Sequence, residues 1–174
     1  RYFELALTVF EEADRAIGKY LRGTLMECFL VGATMAFGLV VIGFKLPVAL
    51  FIGMIAGITN AIPFLGPFIG LIIGMSYALV AEDISPIIGG VDLENLMIWV
   101  LAAVGLAQVM DNAVYQPVVL GSAVNLHPLV VIIGVVGGST IFGFAGMLLA
   151  IPTIVVVNVV IETLFKELKA YRII

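Results

Sequence analysis

Asp111 is the sole charged residue between Leu96 and Val160, and a cluster of hydrogen-bonding side chains surrounds it in sequence. Gln108, Asp111, Asn112, Tyr115 and Gln116 recur at spacings of three and four, so a helix would carry them as one polar stripe running into Pro117. Such a stripe could line a path for a solute, with amides to replace lost water and a carboxylate to exchange a proton or hold a cation. An ionisable group inside an apolar segment is costly enough to be a functional candidate by default. The competing reading puts Asp111 about 15 residues, hence roughly 22 Å, beyond Leu96. There it would lie at the membrane interface, capping a turn or meeting a lysine.

A second constellation is NAIPFLGPFIG, residues 60–70, which sets Asn60, Pro63, Gly66 and Pro67 into a highly apolar run. A proline cannot continue the hydrogen-bond ladder of a helix, so backbone amides and carbonyls are freed here. Freed backbone at membrane depth is tolerated only where protein or a water-filled cavity lines it. Ser139 and Thr140 supply hydroxyls at a comparable place further on, and Thr59 does so here. Each could bond a solute or its own backbone, and for any one of them the local bond is the expected role. Glu27 stands one turn into its apolar segment and is expected near the headgroups. Trp99 reads as an interfacial anchor and His127 as an interfacial residue at a segment end.

Other chemistries are unsupported. There is no nucleophile with a base, no pair of carboxylates within an apolar block and no metal-ligand set, so an enzyme is not expected. The lone Cys28 excludes an intramolecular disulfide, and no cofactor is implied. No basic patch suits nucleic acid.

The elements that must position these residues are membrane elements. Of 174 residues 63% are hydrophobic and only 11% charged, whereas soluble domains carry about a quarter charged residues. Residues 1–22 place Phe3, Leu7, Phe10, Ile17 and Leu21 on one face, an amphipathic helix outside the bilayer core. Residues 23–81 read as a first span, Thr24 to Phe44, followed by a hairpin whose first arm, Pro47 to Ile62, is short and is closed by Pro63 before the second arm, Phe64 to Val80. Residues 82–95, EDISPIIGGVDLEN, form an exposed acidic loop. Residues 96–164 read as a second span, Leu96 to Val114, a polar connector from Tyr115 to His127, and a second hairpin turning between Phe142 and Gly143. Residues 165–174 are a basic tail. Lys166, Lys169 and Arg172, with Arg15, Lys19 and Arg22, put both ends on the cytoplasmic side; Lys45 runs against that rule.

The order span, short arm, long arm occurs twice. A shift of 81 residues aligns Pro47 with Pro128, Ile52 with Ile133, Gly53 with Gly134, Gly57 with Gly138 and Thr59 with Thr140. A one-residue slip then pairs Phe64 with Phe144 and Gly66 with Gly146. One intervening span inverts the second unit relative to the first. Inverted repeats with matched helix breaks are the construction of many secondary transporters. The expected fold is therefore an all-α integral membrane protein, a polytopic helical bundle with two broken or re-entrant hairpins in an inverted repeat.

NAIPFLGPFIG, DNAVYQPVVLG (111–121), HPLVVIIGVVGG (127–138) and GFAGMLLAIP (143–152) resemble the autoinducer-2 exporter family of PerM-type permeases. The resemblance covers nearly the whole chain and places it in that family's carboxyl-terminal half, in keeping with a start at Arg1 rather than methionine. It implies a multi-pass protein of the bacterial cytoplasmic membrane that moves small solutes. Some family members are similar to exporters of an autoinducer-2-type signal, others to sodium/proton antiporters. Expected partners are the lipid bilayer, a small polar solute or cation, and further copies of the chain. Three functions stay open: a permease for a small polar solute, a sodium/proton antiporter using Asp111, and a membrane scaffold whose glycines serve packing.

Overall fold

Apolar segments in lipid must satisfy their backbone internally, and in the computed structural model of this chain the membrane segments are helices. Residues 2–62, 65–120 and 128–170 are described. α1 runs unbroken over Tyr2–Val41, about 60 Å of helix. The helix continues through Gly23, because one glycine in a long run of good helix formers weakens a helix without ending it. Leu7–Val41, Leu96–Val119 and Leu129–Thr163 are each long and apolar enough to cross a membrane.

The chain forms two compact units, residues 24–119 and residues 1–23 with 120–174. The first holds the second half of α1, then α2 (Leu46–Thr59), α3 (Leu65–Val80), α4 (Leu96–Met110) and a π-helical segment, Asp111–Leu120. α2 is 14 residues long, about 21 Å, so it is too short for a hydrocarbon core of about 30 Å. It packs on α3, which packs on α4. Met35, Leu39, Ile52, Leu96 and Val100 fill the interior. Phe29, Phe37, Phe51, Phe68, Ile98 and Leu101 point outward, as expected where lipid is the solvent.

Glycines bring α1 and α2 together backbone to backbone. A Cβ on Gly32 would stand 2.7 Å from the carbonyl oxygen of Gly53, and one on Gly57 would stand 3.1 Å from Cα of Gly32. This is the small-residue contact that lets transmembrane helices associate by close packing. At the end where α1 turns into α2, Gly43 takes φ 106°, and a Cβ there would meet the Pro86 nitrogen at 2.8 Å. The acidic loop is laced to that turn by Ser85 N donating to Gly43 O (3.1 Å) and Ile87 N to Val41 O (3.0 Å). Lys45, the residue at odds with the charge rule, reaches Asp83 of the same loop at 2.9 Å.

In the second unit α5, Pro128–Ala170, contains one non-helical residue, Gly143, at φ 60° and ψ −137°. The chain folds back there. Gly138 of the first arm lies against the backbone of Gly146 in the second, and Gly134 lies against the Ile154 side chain. The expected turn at Phe142 and Gly143 is thus present as a helical hairpin. Tyr20 of α1 packs with Ile151 and Val155 of the returning arm, flanked by Ala16 and Val131.

Candidate functional site

In the unit of residues 24–119, three helices start from the acidic-loop end and reach the same depth. Glu27 stands 14 residues before Val41, Asn60 stands 14 after Leu46, and Asp111 stands 15 after Leu96. Each is roughly 21–22 Å from that end. There the three side chains converge. They are the buried polar residues of an otherwise apolar interior, 6%, 6% and 2% exposed respectively. Glu27 and Asp111 are in side-chain hydrogen-bonding contact, and Asp111 also meets Asn60 and Gln116. Gln116 Nε2 lies 3.3 Å from Asp111 Oδ2 and 3.3 Å from Asn112 Oδ1. Asp111 Oδ1 and Asn60 Oδ1 are buried without a fixed donor, as is Thr24 Oγ1 one turn before Glu27.

The wide turns begin at Asp111, where the sequence suggests an ordinary span continuing to Val114 and then a polar connector. The helix instead runs to Leu120 in π geometry, with Pro117 inside it. A proline ring presses on the carbonyl four residues back in an α-helix, and widening the turn relieves that crowding. The period then favours neighbours five residues apart, which brings Gln116 over Asp111. With no N–H on Pro117, the carbonyl of Asn112 five residues earlier loses its ladder partner. Tyr115, on the same segment, bonds Thr34 of α1 across 2.6 Å. Asp111 is the C-cap of α4, its N–H bonded to Ala107 O and Gln108 O, and at the same time the first residue of the π-helical segment, so the chain stays helical on both sides of it.

The remaining sequence candidates are distributed around this cluster. Gly66 and Pro67 are buried in the first turn of α3, and Gly66 lies against Ala56 and Asn60 of α2, so the hairpin closes beside the cluster. Gln108 is half-buried one turn before Asp111, while Asn112 and Pro117 face outward. Pro63 and His127 lie outside the described residues. Ser139 and Thr140 belong to the other unit and donate to their own helix, at Val136 O (2.7 Å) and Gly137 O (2.8 Å). Thr59 does the same toward Ile55 O at 2.7 Å.

Glu27 is the correction. Expected near the headgroups, it is instead buried among protein side chains in the middle of α1, because that helix does not begin at Thr24. Gly23, Glu27, Val31, Met35 and Leu39 follow at intervals of four and are all buried. That row was the available signal: Glu27 continues the stripe that α1 turns inward.

The comparisons agree with a membrane chemistry. The model of the family described as "AI-2E family transporter" matches residues 1–166. The chain belongs to this transporter family. YueF, named a candidate transport protein of Bacillus subtilis, is 30% identical over 163 residues, covering 94% of this chain and 41% of the relative. YrrI of the same organism is 31% identical over 148 residues, 85% of this chain and 38% of the relative. PerM, named a candidate permease of Escherichia coli K12, is 33% identical over 159 residues, 91% and 42%. The chain thus spans about two fifths of the length of these AI-2E family relatives. No solved structure matches it. Family membership and three apolar spans make it a multi-pass membrane protein of a transporter family.

Proposed function

We propose that this chain forms part of a transporter that moves a small polar solute across the bacterial cytoplasmic membrane, with an autoinducer-2-type signal as the first solute to test. The observation that carries the reading is the convergence of Asn60, Asp111 and Gln116 at one depth, beside a helix end and a π-helical widening. A solute leaving water needs replacement hydrogen bonds, and amides, a carboxylate and a freed carbonyl offer both donors and acceptors in an apolar surround. Gln108 continues the polar face on α4, and Gly66 and Pro67 close the hairpin beside it, while Asn112 and Pro63 enter the reading from the sequence alone. Ser139 and Thr140 are assigned to the matching hairpin, which in an inverted repeat would close from the other face. No enzymatic reaction is proposed.

The test is solute flux into proteoliposomes of the full-length protein, with and without a sodium or proton gradient. Saturable solute uptake that falls to background in Gln116→Leu, with the variant assembled at normal levels, is the expected result. Sodium-dependent proton movement without solute flux would replace this reading by antiport. No flux of any solute tested would leave a scaffold role.

A further inference from the structure

The cluster is short of hydrogen-bond donors. An ionised carboxylate only accepts, so the contact between Glu27 and Asp111 is a hydrogen bond only when a proton stands between them. Gln116 and Asn60 bring amide donors to Asp111, yet Asp111 Oδ1 and Asn60 Oδ1 remain without a fixed donor. Burial of two adjacent negative charges without compensation is far costlier than burial of one. The ion pairs among the described residues, Arg15–Glu11, Lys45–Asp83 and Lys166–Glu162, bring no cation to the cluster. The other titratable side chain facing the pair is Cys28, next to Glu27 on α1. α2 and α4 carry no ionisable residue, and Tyr77 of α3 stacks on Phe44 near the acidic loop, with ring centroids 4.8 Å apart. The missing positive charge must therefore be taken up from outside.

We propose that Glu27 and Asp111 are a proton-binding site that holds one proton between their carboxyl groups, with Asn60 and Gln116 as positioning residues. The choice of a proton follows from the contact itself. A metal cation needs several ligands around it, and the described residues hold no group of three His, Cys, Asp or Glu side chains that could supply them, whereas a proton needs only the two carboxyl oxygens. The proton leaves when water or a solute donor reaches Asp111 and takes over the bond, and the second charge is then solvated. Use of that proton to drive a solute rests on the transport reading; the site itself does not.

The experiment uses full-length protein in lipid vesicles at neutral pH and dicyclohexylcarbodiimide, an apolar reagent that adds to protonated carboxylic acids. Peptide mass spectrometry of wild type is expected to find an adduct on Glu27 or Asp111, formed as the carboxyl proton passes to a carbodiimide nitrogen and the carboxyl oxygen bonds the central carbon. The infrared carbonyl band of a protonated carboxylic acid should be present in wild type and lost in the Glu27→Gln, Asp111→Asn double variant. Absence of an adduct on either residue overturns the proposal, and that measurement needs no variant. So does protection of the pair by sodium chloride at constant ionic strength, which would make it a cation site. None of these readouts involves flux, so the proton site and the transport reading fail separately.

Discussion

At the scale of single residues, the two polar links outside the carboxyl cluster make separable predictions. The Thr34–Tyr115 hydroxyl bond ties α1 to the π-helical segment at 2.6 Å. Tyr115→Phe should lower stability in detergent by about 1 kcal/mol, at the modest end because Thr34 can turn to a carbonyl of its own helix. Adding Thr34→Val should cost less than it does in wild type, a non-additivity read from denaturation midpoints. Lys45 responds to pH. The Asp83 carboxylate, by hydrogen bond first and Coulomb attraction second, holds the Lys45 ammonium above its ordinary range. A folded value raised above the unfolded one gives a stabilisation that is complete below the ordinary lysine range and is lost as pH climbs beyond it. Both groups are exposed, so the effect is small and salt-sensitive. Melting temperatures of wild type and Asp83→Asn, measured against pH, should differ slightly at neutral pH and converge in strong alkali. Asp111 and its amide neighbours were legible in the sequence because one carboxylate in a long apolar block stands out by composition alone. Glu27 was not, since a charge near a polar segment looks interfacial until the helix is known to run through it.

At the scale of elements, glycine decides what can touch. A Cβ on Gly53 would stand 2.7 Å from the Ala36 side chain and 3.0 Å from its backbone nitrogen, with the Gly32 carbonyl closer still. Gly53→Ala should therefore push α2 off α1 and cost roughly 1–3 kcal/mol, the range of overpacked cores. Gly105 in α4 has open space where its Cβ would go. Gly105→Ala should be neutral or stabilising by about 0.5–1 kcal/mol, since alanine is the better helix former. A melting series of the two variants checks the contrast, and equal effects would mean that the seam is not close-packed. The turn at Gly143 was readable because a glycine there separates two apolar arms and can take the φ of 60° that the chain needs to fold back. The π-helical stretch was not readable. A stripe at spacings of three and four looks like an ordinary α-helix, and whether Pro117 ends, kinks or widens it depends on packing that one segment does not encode.

At the scale of the whole molecule, the lengths of the elements and the distribution of charge make one topological argument. α1 and the segment from Leu96 onward are each long and apolar enough to cross, whereas α2 and α3 are shorter apolar helices; entry and return of that pair from the acidic-loop end is the arrangement we propose. With basic residues at both chain ends, the acidic loop is assigned to the outside. Lys45, the single exception to the charge rule, is paired with Asp83 of that loop. A reporter inserted after Gly90, where φ is 85° and nothing would crowd a Cβ, should be active only outside the cytoplasm. The inverted arrangement demands more than orientation. If the two hairpins enter from opposite faces, single cysteines at Ile62 and at Phe142, in a Cys28→Ser background, must meet water by different routes. The route to Ile62 passes the acidic-loop mouth, and that to Phe142 starts from the other face. A membrane-impermeant thiol reagent added outside should label the first cysteine and spare the second. The same reagent sealed inside vesicles should reverse the pattern. Labelling of both from one side would remove the inverted repeat while leaving the Glu27–Asp111 cluster intact, because that cluster is built within residues 24–119 and owes nothing to the second hairpin.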